Sequence, residues 1–216
     1  MIEFVRVRRA RRYILRVRPD GTLRVTVPRG GSRREAEQFV RKHQRWIRRE
    51  RDRVRTEHGP AHWTDGSEIF LRGTIVRISA EARDGSMTVR YGDRELTIDA
   101  AANLRPAIEE DLKALANTEL VLRLQELAAA HRLEPGAISI RNQRSRWGSC
   151  GRNGNIALNF RLVQMPVPVR DYVLLHELMH IRHQNHSRRF WKLVESVCPG
   201  FRDAERWLRT TGKTLF

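Results

Sequence analysis

Cysteine is scarce in this sequence, which holds two cysteines among its 216 residues. Cys150 and Cys198 lie far apart and form no C-x-x-C pair, so neither a disulfide framework nor a cysteine-based zinc knuckle is predicted. We expect both thiols to be reduced and to serve in packing.

Long apolar segments and targeting signals are missing as well. No apolar run approaches the roughly eighteen residues that are needed to cross a bilayer. The N-terminus, MIEFVRVRRARRYILRV, alternates arginine with apolar residues and lacks the apolar core of a signal peptide. We therefore expect a cytoplasmic protein without a membrane partner, and its oligomeric state stays open.

Lysine is also scarce, with 4 lysines beside 38 arginines, yet the net charge is +17. Residues 1–55 contain 19 basic residues against 6 acidic ones, which is a local net charge of +13. Such a segment attracts phosphate-rich partners, so a nucleic acid or a nucleotide is a candidate partner through this surface. A basic face that is merely solvated is the alternative interpretation.

Alternating apolar and polar residues predict a β-hairpin in the segment YILRVRPDGTLRVTV, with PDG at residues 19–21 as its turn. One face would carry apolar residues and the other arginines: Leu15, Val17, Leu23, Val25 and Val27 against Arg16, Arg18 and Arg24. SRRE at residues 32–35 is a capping box. It predicts the start of one basic amphipathic helix, which continues to Gly59 and Pro60.

The rest of the chain suggests an α+β protein with two lobes. Short β-type runs between residues 67 and 99 predict a small sheet or partial barrel. Apolar residues with a helical period predict the longest helix over residues 103–131. A boundary near residue 100 would separate a β-rich basic lobe with one amphipathic helix, residues 1–100, from an α-rich lobe, residues 101–216.

His176, Glu177 and His180 form the pattern H-E-x-x-H in an apolar segment. Residues four apart lie on one face of a helix, so both imidazoles reach one cation, while Glu177 is placed to hold a water molecule beside it. Burial of two imidazoles and a carboxylate costs free energy unless something satisfies them, and a zinc ion would do so. Because the pattern also arises by chance, a third ligand decides between a metal site and a histidine-rich helix.

The third ligand is predicted among the histidines that follow. His183 continues the helical stripe, but it would lie about 10.5 Å from His176 along a straight helix, too far to share one ion. His186 follows His180 by six residues, the spacing of the metzincin pattern, in which the chain turns back beneath the metal. This chain lacks the glycine of that pattern, so we expect Asn185 to make the turn in a left-handed conformation. His186 is preferred, with His183 or a later acidic residue as alternatives.

At this point the sequence resembles a known family. The segments RSRWGSC, NIALNFRLVQMPVPVRDYVLLHELMHIRHQNHSRRFW and CPGFRDAERWL closely resemble the YgjP-like family of bacterial zinc metallopeptidases, which is related to SprT-like and WLM proteases. LRVRPDGTLRVTVPRG and SRREAEQFV extend the resemblance to the first lobe. The resemblance implies a zincin-like catalytic lobe, zinc bound by His176, His180 and His186, and Glu177 as catalytic acid and base. WLM-type relatives act on proteins bound to DNA.

Two segments beside the motif supply candidate substrate contacts. NIALNF predicts a strand whose free edge can pair with an extended peptide, so Asn159 and the backbone of Ala157 are candidates, with an ordinary core strand as the alternative. RSRWGSC predicts an irregular loop. Its Arg144 and Arg146 would bind a carboxylate or phosphate, or else pair with a buried acid. Ser187 is expected to cap a helix whose aromatic residues pack against the metal helix.

The preferred function is therefore a zinc-dependent metallopeptidase acting on a protein or peptide. Glu177 would take a proton from a zinc-activated water and pass it to the leaving amine. One alternative keeps this site and changes the substrate to a nucleotide or another phosphate ester, held by Arg144 and Arg146. Another is a non-catalytic nucleic-acid-binding protein with a structural zinc. Manganese or nickel in place of zinc also stays open.

Overall fold

The computed structural model describes residues 1–18, 21–57, 60 and 62–216. The chain divides into two compact units, residues 1–61 and residues 62–215. Among the described residues, no helix combines the length and the apolar character that a membrane span requires.

The first unit combines a three-stranded sheet with two helices. Its elements are β1 (Ile2–Arg6), β2 (Ile14–Val17), β3 (Leu23–Val27), α1 (Arg33–Lys42) and α2 (Gln44–Glu57). β3 is the central strand, antiparallel to β2 and parallel to β1. Apolar side chains of the sheet and both helices form one core: Val17, Leu23, Val25, Val27, Ala36, Val40, Ile47 and Val54.

The predicted β-hairpin is present, with Arg16 directly opposite Arg24 across β2 and β3. Its apolar residues are buried or half-buried in the core, while Arg16 is exposed and Arg18 pairs with Glu3 of β1 at 2.7 Å. Pro19 and Asp20 of the predicted turn lie outside the described residues. β1 was not predicted, because its partner β3 is distant in sequence and no local pattern shows the pairing.

The single helix predicted after the capping box is two helices in the structure. The capping box itself is confirmed, since Ser32 Oγ accepts from Glu35 N and Glu35 Oε2 accepts from Ser32 N. His43 separates α1 from α2 with φ −107° and ψ 19°, outside the helical region. Val40 and Ile47 are both buried and seven residues apart, so the apolar period runs across the break and conceals it. Gly59, at the predicted end of the helix, lies outside the described residues.

The predicted strands between residues 67 and 99 are present as two small antiparallel sheets. They are β4 (Glu68–Leu71), β5 (Thr74–Arg77), β6 (Ser79–Arg83), β7 (Ser86–Tyr91) and β8 (Arg94–Asp99). β4 pairs with β5, and β7 pairs with both β6 and β8. The predicted long helix follows as α3 (Arg105–Ala130).

These strands and α3 share one apolar core. Ile108 and Leu112 of α3 are fully buried and belong to the same cluster as Ile69 of β4 and Val89 of β7. The boundary expected near residue 100 therefore falls inside the second unit, because the strands bury their apolar side chains with the helix that follows them. The division between the two units lies at residue 61.

The remaining elements of the second unit carry the polar motifs. They are β9 (Ile138–Arg141), β10 (Gly148–Cys150), β11 (Ile156–Asn159), α4 (Val167–Met179), α5 (Arg188–Val197) and α6 (Phe201–Arg209). β11 is central in its sheet, antiparallel to β10 and parallel to β9, and a 3-10 helix over Phe160–Gln164 leads from it towards α4. The helices and small sheets form the predicted α+β class.

Candidate metal centre

Three imidazoles meet at the C-terminal end of α4. His176 lies in the helix, His180 follows its last residue, and His186 comes after a turn. One ligand atom from each histidine lies within 4.8 Å of the other two. His176 Nε2 and His186 Nε2 are 3.0 Å apart. Two nitrogens that ligate one zinc ion tetrahedrally would be about 3.3 Å apart. The structure thus brings together the three histidines that the sequence assigned to a metal.

The turn that returns His186 to the helix end does not use a left-handed residue. Asn185 is not among the non-glycine residues with positive φ, so the prediction for Asn185 was wrong. Gln184 Nε2 instead donates to His180 O at 2.7 Å and satisfies a carbonyl that the end of the helix leaves open. Ser187 then caps α5, as predicted, by accepting a hydrogen bond from Phe190 N.

His183 contributes its main chain to the site. His183 O is 3.0 Å from His180 Nδ1, and a carbonyl only accepts, so this nitrogen carries the hydrogen and donates it. His180 Nε2 therefore keeps the lone pair that a metal ligand requires. The half-buried imidazole of His183 does not belong to the ligand group.

Phe190 forms a packing surface for all three imidazoles. Its fully buried ring stacks on His180 at a centroid distance of 4.4 Å. The same ring meets His176 and His186 edge to face at 5.0 and 4.9 Å. Trp191 lies beside it, 5.8 Å from His176. The predicted aromatic pair of α5 therefore packs directly on the site and restricts the orientation of the imidazoles.

Burial keeps the two inner imidazoles neutral. Burial lowers the pKa of His176 to about 4, and the charges of the neighbouring His180 and His186 contribute to the same shift. Burial also lowers the pKa of His180. Neutral imidazole is the form that binds metals, so at neutral pH these donors fit a divalent metal of the zinc type.

Glu177 is 6% exposed and lies beside the three histidines. Burial raises the pKa of its carboxyl to about 7, against the opposing charge of Arg146. A Cβ built on Gly148 of β10 would lie 2.7 Å from both Cγ and Oε1 of Glu177. The carboxylate therefore occupies space that only a glycine leaves open.

An open pocket of about 290 Å³ exposes these groups to solvent. Its lining comes from β10, from α4 and from the turn after it: Gly148, Ser149, Cys150, His176, Glu177, His180, Gln184 and His186. Burial, followed by the charge of Glu177, raises the pKa of the Cys150 thiol to about 11, so this thiol stays protonated and is a poor nucleophile. Both cysteines are free, as predicted.

Comparison with protein families decides the class of this site. A family model described as "YgjP-like, metallopeptidase domain" matches residues 11–211. The chain belongs to the YgjP-like metallopeptidase family. It is therefore a hydrolase of the peptidase type, and the resemblance seen in the sequence is confirmed.

One solved structure is similar to part of this YgjP-like chain. The crystal structure of the metallopeptidase zymogen of Pyrococcus abyssi abylysin is similar to it at 23% sequence identity and a TM-score of 0.38. The similar region covers 44% of the YgjP-like chain and 96% of the abylysin chain. The comparison with curated proteins gave no match.

In this YgjP-like metallopeptidase, Ala157 does not lie on an edge strand, so its backbone is not free to pair with a peptide. It lies in the central strand β11, opposite Ser149 on one side and Ser139 on the other. The ordinary core strand, which the sequence left as an alternative, therefore describes β11.

Asn159 is also turned away from the pocket. Its side chain is fully buried, and Nδ2 donates to Gln143 O and Arg146 O. Its Oδ1 accepts from Arg161 N, which caps the 3-10 helix. Because all three bonds are internal, Asn159 holds the loop before β10 in place instead of meeting substrate.

Arg144 and Arg146 are both exposed, and neither lines the pocket. Arg146 influences the pKa of Glu177, whereas Arg144 influences that of the buried Arg161. Their role in binding a carboxylate or a phosphate stays a prediction.

Several residues of the site were missed in the sequence. The contact between Gly148 and Glu177 could not be predicted, because no pattern in a single sequence relates these two positions. Tyr172 precedes His176 by four residues, a helical spacing that could have been noticed, and its hydroxyl lies 3.5 Å from His176 Nδ1. Glu205, 33 residues beyond Tyr172 in the sequence, approaches that hydroxyl only in three dimensions.

Proposed function

We propose that this protein is a zinc peptidase of the zincin type, with His176, His180 and His186 as metal ligands and Glu177 as general base and acid. The observation that carries the proposal is the convergence of three histidine ligand atoms within 4.8 Å on the wall of an open pocket. Imidazole ligands favour zinc over magnesium or calcium, and three protein ligands are the usual number at a catalytic zinc site.

The catalytic proton transfers belong to Glu177. When bound, the metal supplies Lewis acidity, which polarises the scissile carbonyl and makes water more acidic. A carboxylate oxygen of Glu177 takes a proton from the attacking water and returns it to the nitrogen of the leaving amine. Burial, which raises the pKa of this carboxyl to about 7, suits it to both transfers near neutral pH.

We assign the peptide contact to β10 in place of β11. β10 lies at the edge of its sheet, and all of its residues, Gly148–Cys150, line the pocket. Within the described residues β10 pairs with β11 alone. Its other side therefore has main-chain donors and acceptors that can pair with an extended peptide.

Replacement of Glu177 by glutamine tests the proposal. Glu177→Gln preserves the shape of the side chain and removes the base, so hydrolysis of casein is expected to fall at least 100-fold. Zinc content, measured by elemental analysis, should stay at the wild-type level. Glu195→Gln, at an exposed glutamate of α5, is the matched control. Full turnover by zinc-loaded Glu177→Gln would refute the role of Glu177. Hydrolysis of nucleoside triphosphates without cleavage of casein would replace the peptidase by the phosphate-ester alternative.

We further infer that the first unit binds single-stranded nucleic acid through α1 and α2. Exposed basic side chains follow both helices: Arg34, Arg41, Lys42, Arg45, Arg48 and Arg49. Trp46 is 37% exposed among them and offers an indole face for stacking on a base. Arginines that attract phosphates, together with an exposed aromatic ring, are typical of surfaces that bind single strands without reading sequence. Substrates held on nucleic acid would then be delivered to the peptidase.

Binding of a labelled oligothymidine, measured by fluorescence anisotropy at several salt concentrations, tests this inference. The double variant Arg45→Glu/Arg48→Glu should weaken binding. It should also flatten the slope of log affinity against log salt by about 0.7 for each phosphate that the variant no longer neutralises. The control Arg83→Glu/Arg152→Glu changes the net charge equally at exposed positions of the second unit. An equal loss of affinity in both variants would mean that only the total charge of the protein matters. It would contradict a binding surface on α1 and α2.

A further inference from the structure

We infer that Tyr172 and Glu205 form a positioning pair that orients His176 for metal binding. The inference rests on the proposed metal centre, and it concerns two residues outside the ligand set. Tyr172 lies one helical turn before His176 on α4, and Glu205 lies on α6. The hydroxyl of Tyr172 is the link between them, 3.3 Å from Glu205 Oε1 and 3.5 Å from His176 Nδ1.

The direction of these hydrogen bonds follows from what each group can donate. An ionised carboxylate only accepts, so the hydroxyl hydrogen of Tyr172 points to Glu205. A phenolic hydroxyl keeps its hydrogen at neutral pH and can donate it to this acceptor. The oxygen then has lone pairs left for His176, whose Nδ1 must be the donor. His176 Nε2 is consequently the unprotonated nitrogen.

This tautomer agrees with the position of the other ligands. His176 Nε2 is the atom that lies 3.0 Å from His186 Nε2, on the side where the three histidines converge. His180 adopts the same tautomer with a different partner, because its Nδ1 donates to the main-chain carbonyl of His183. Each of the two inner imidazoles thus has its Nδ1 engaged, which leaves Nε2 as the nitrogen that would bind the metal, as is usual at protein metal sites.

The packing around Tyr172 leaves it little freedom. Its side chain is 4% exposed, and its ring stacks on Phe201 of α6 at 6.2 Å and meets His176 edge to face at 5.8 Å. α6 therefore supplies both the carboxylate and the aromatic surface that fix the hydroxyl. The anchor of His180 is a main-chain carbonyl, so the anchor of His176 is the one that substitution of a side chain can remove.

Metal affinity of the full chain is the direct measurement. Zinc dissociation constants, obtained by competition with a chromogenic chelator, should rise about 10-fold to 100-fold in Tyr172→Phe, which removes only the hydroxyl. Glu205→Ala should weaken binding in the same direction, and Glu205→Gln, whose amide oxygen can still accept, should recover much of the affinity. Tyr13→Phe, which removes a tyrosine hydroxyl that donates to Glu35 in the first unit, is the control and should bind zinc as the wild type does.

A second readout separates positioning from general damage. The visible spectrum of the cobalt-substituted protein reports ligand geometry, and it should change in Tyr172→Phe and Glu205→Ala while the unfolding midpoint of the metal-free protein stays unchanged. Wild-type zinc affinity and an unchanged cobalt spectrum in both variants would overturn the positioning pair. If His176→Ala also bound zinc as tightly as the wild type, the proposed metal centre itself would fall.

Discussion

The two units of this chain place their polar groups in opposite ways. Residues 1–61 carry a net charge of +12, against +5 for residues 62–216. Among the described residues, the core of the first unit has eight buried apolar side chains and that of the second has thirty-two. Within the part of the chain that the structure describes, the buried polar side chains all belong to the second unit: Asn159, Arg161, Gln164, Glu177 and His180. A large core tolerates the cost of desolvating such groups, whereas a small unit keeps its charges at the surface.

Substitutions that create matched cavities in the two cores should give the largest difference in stability between the two units. Leu23 of β3 and Leu120 of α3 are both fully buried, so Leu23→Ala and Leu120→Ala should each lower the free energy of unfolding by about 3 kcal/mol. The first unit has less stability to lose, so Leu23→Ala should raise amide hydrogen exchange throughout residues 2–54 while Leu120→Ala leaves the second unit folded. An equal rise of exchange in both units, from either variant, would show that they unfold together.

Two glycines test whether close packing serves chemistry in one unit and stability in the other. A Cβ at Gly148 would collide with Glu177, and a Cβ at Gly31 would collide with the hydroxyl of Tyr13. Gly148→Ala should reduce kcat on the order of 100-fold by displacing the carboxylate, with zinc content unchanged. Gly31→Ala should lower the unfolding midpoint and leave kcat unaltered. The contrast would disappear if Gly148→Ala cleaved casein at the wild-type rate.

Ion pairs of the two units should differ in how their contribution to stability depends on pH. The hydrogen bond from Arg94 holds the pKa of Asp111 below its ordinary value of 3.8, with a further contribution from the hydroxyl of Tyr91. Asp111 therefore stabilises the folded state above that ordinary value, and the contribution is lost as the pH falls through the lowered pKa. Asp111→Asn should cost about 2 kcal/mol at pH 7.

Urea unfolding at decreasing pH measures this contribution, and the gap between wild type and Asp111→Asn should close in acid. The exposed pair Arg33–Glu37 of α1 is the counterpart in the first unit, with side chains that are 77% and 43% exposed. Glu37→Gln should change stability by less than about 0.5 kcal/mol at any pH. A pH-independent gap for Asp111→Asn would contradict the assignment.

Helix caps should give the smallest effects, and each unit offers a serine cap at the start of an α-helix. Ser32→Ala and Ser187→Ala should each cost about 1 kcal/mol of stability. Because Ser187 directly follows His186, its replacement should also weaken zinc binding, measured by chelator competition, whereas Ser32→Ala should not. Equal zinc affinity in the two variants would show that the cap of α5 has no part in placing His186.

Local patterns account for most of what could be predicted. The hairpin, the capping box, α3 and the cap at Ser187 all depend on residues within one element or across one turn, so periodicity and spacing were sufficient. The break at His43 and the edge position of β10 were not predictable in this way. A helix break leaves the apolar period intact, and the order of strands in a sheet is set by contacts between distant segments.

The amino-acid sequence by itself determined the chemistry that is available: two imidazoles and a carboxylate at helical spacing, a surplus of arginine in the first quarter, and a family resemblance that the match over residues 11–211 confirms. Tertiary structure alone decided that His186 joins His176 and His180, that Gly148 receives Glu177, and that Glu205 reaches Tyr172. Helix geometry relates residues only a few positions apart. The meeting of more distant groups depends on how the apolar faces of α4, α5 and α6 are buried together.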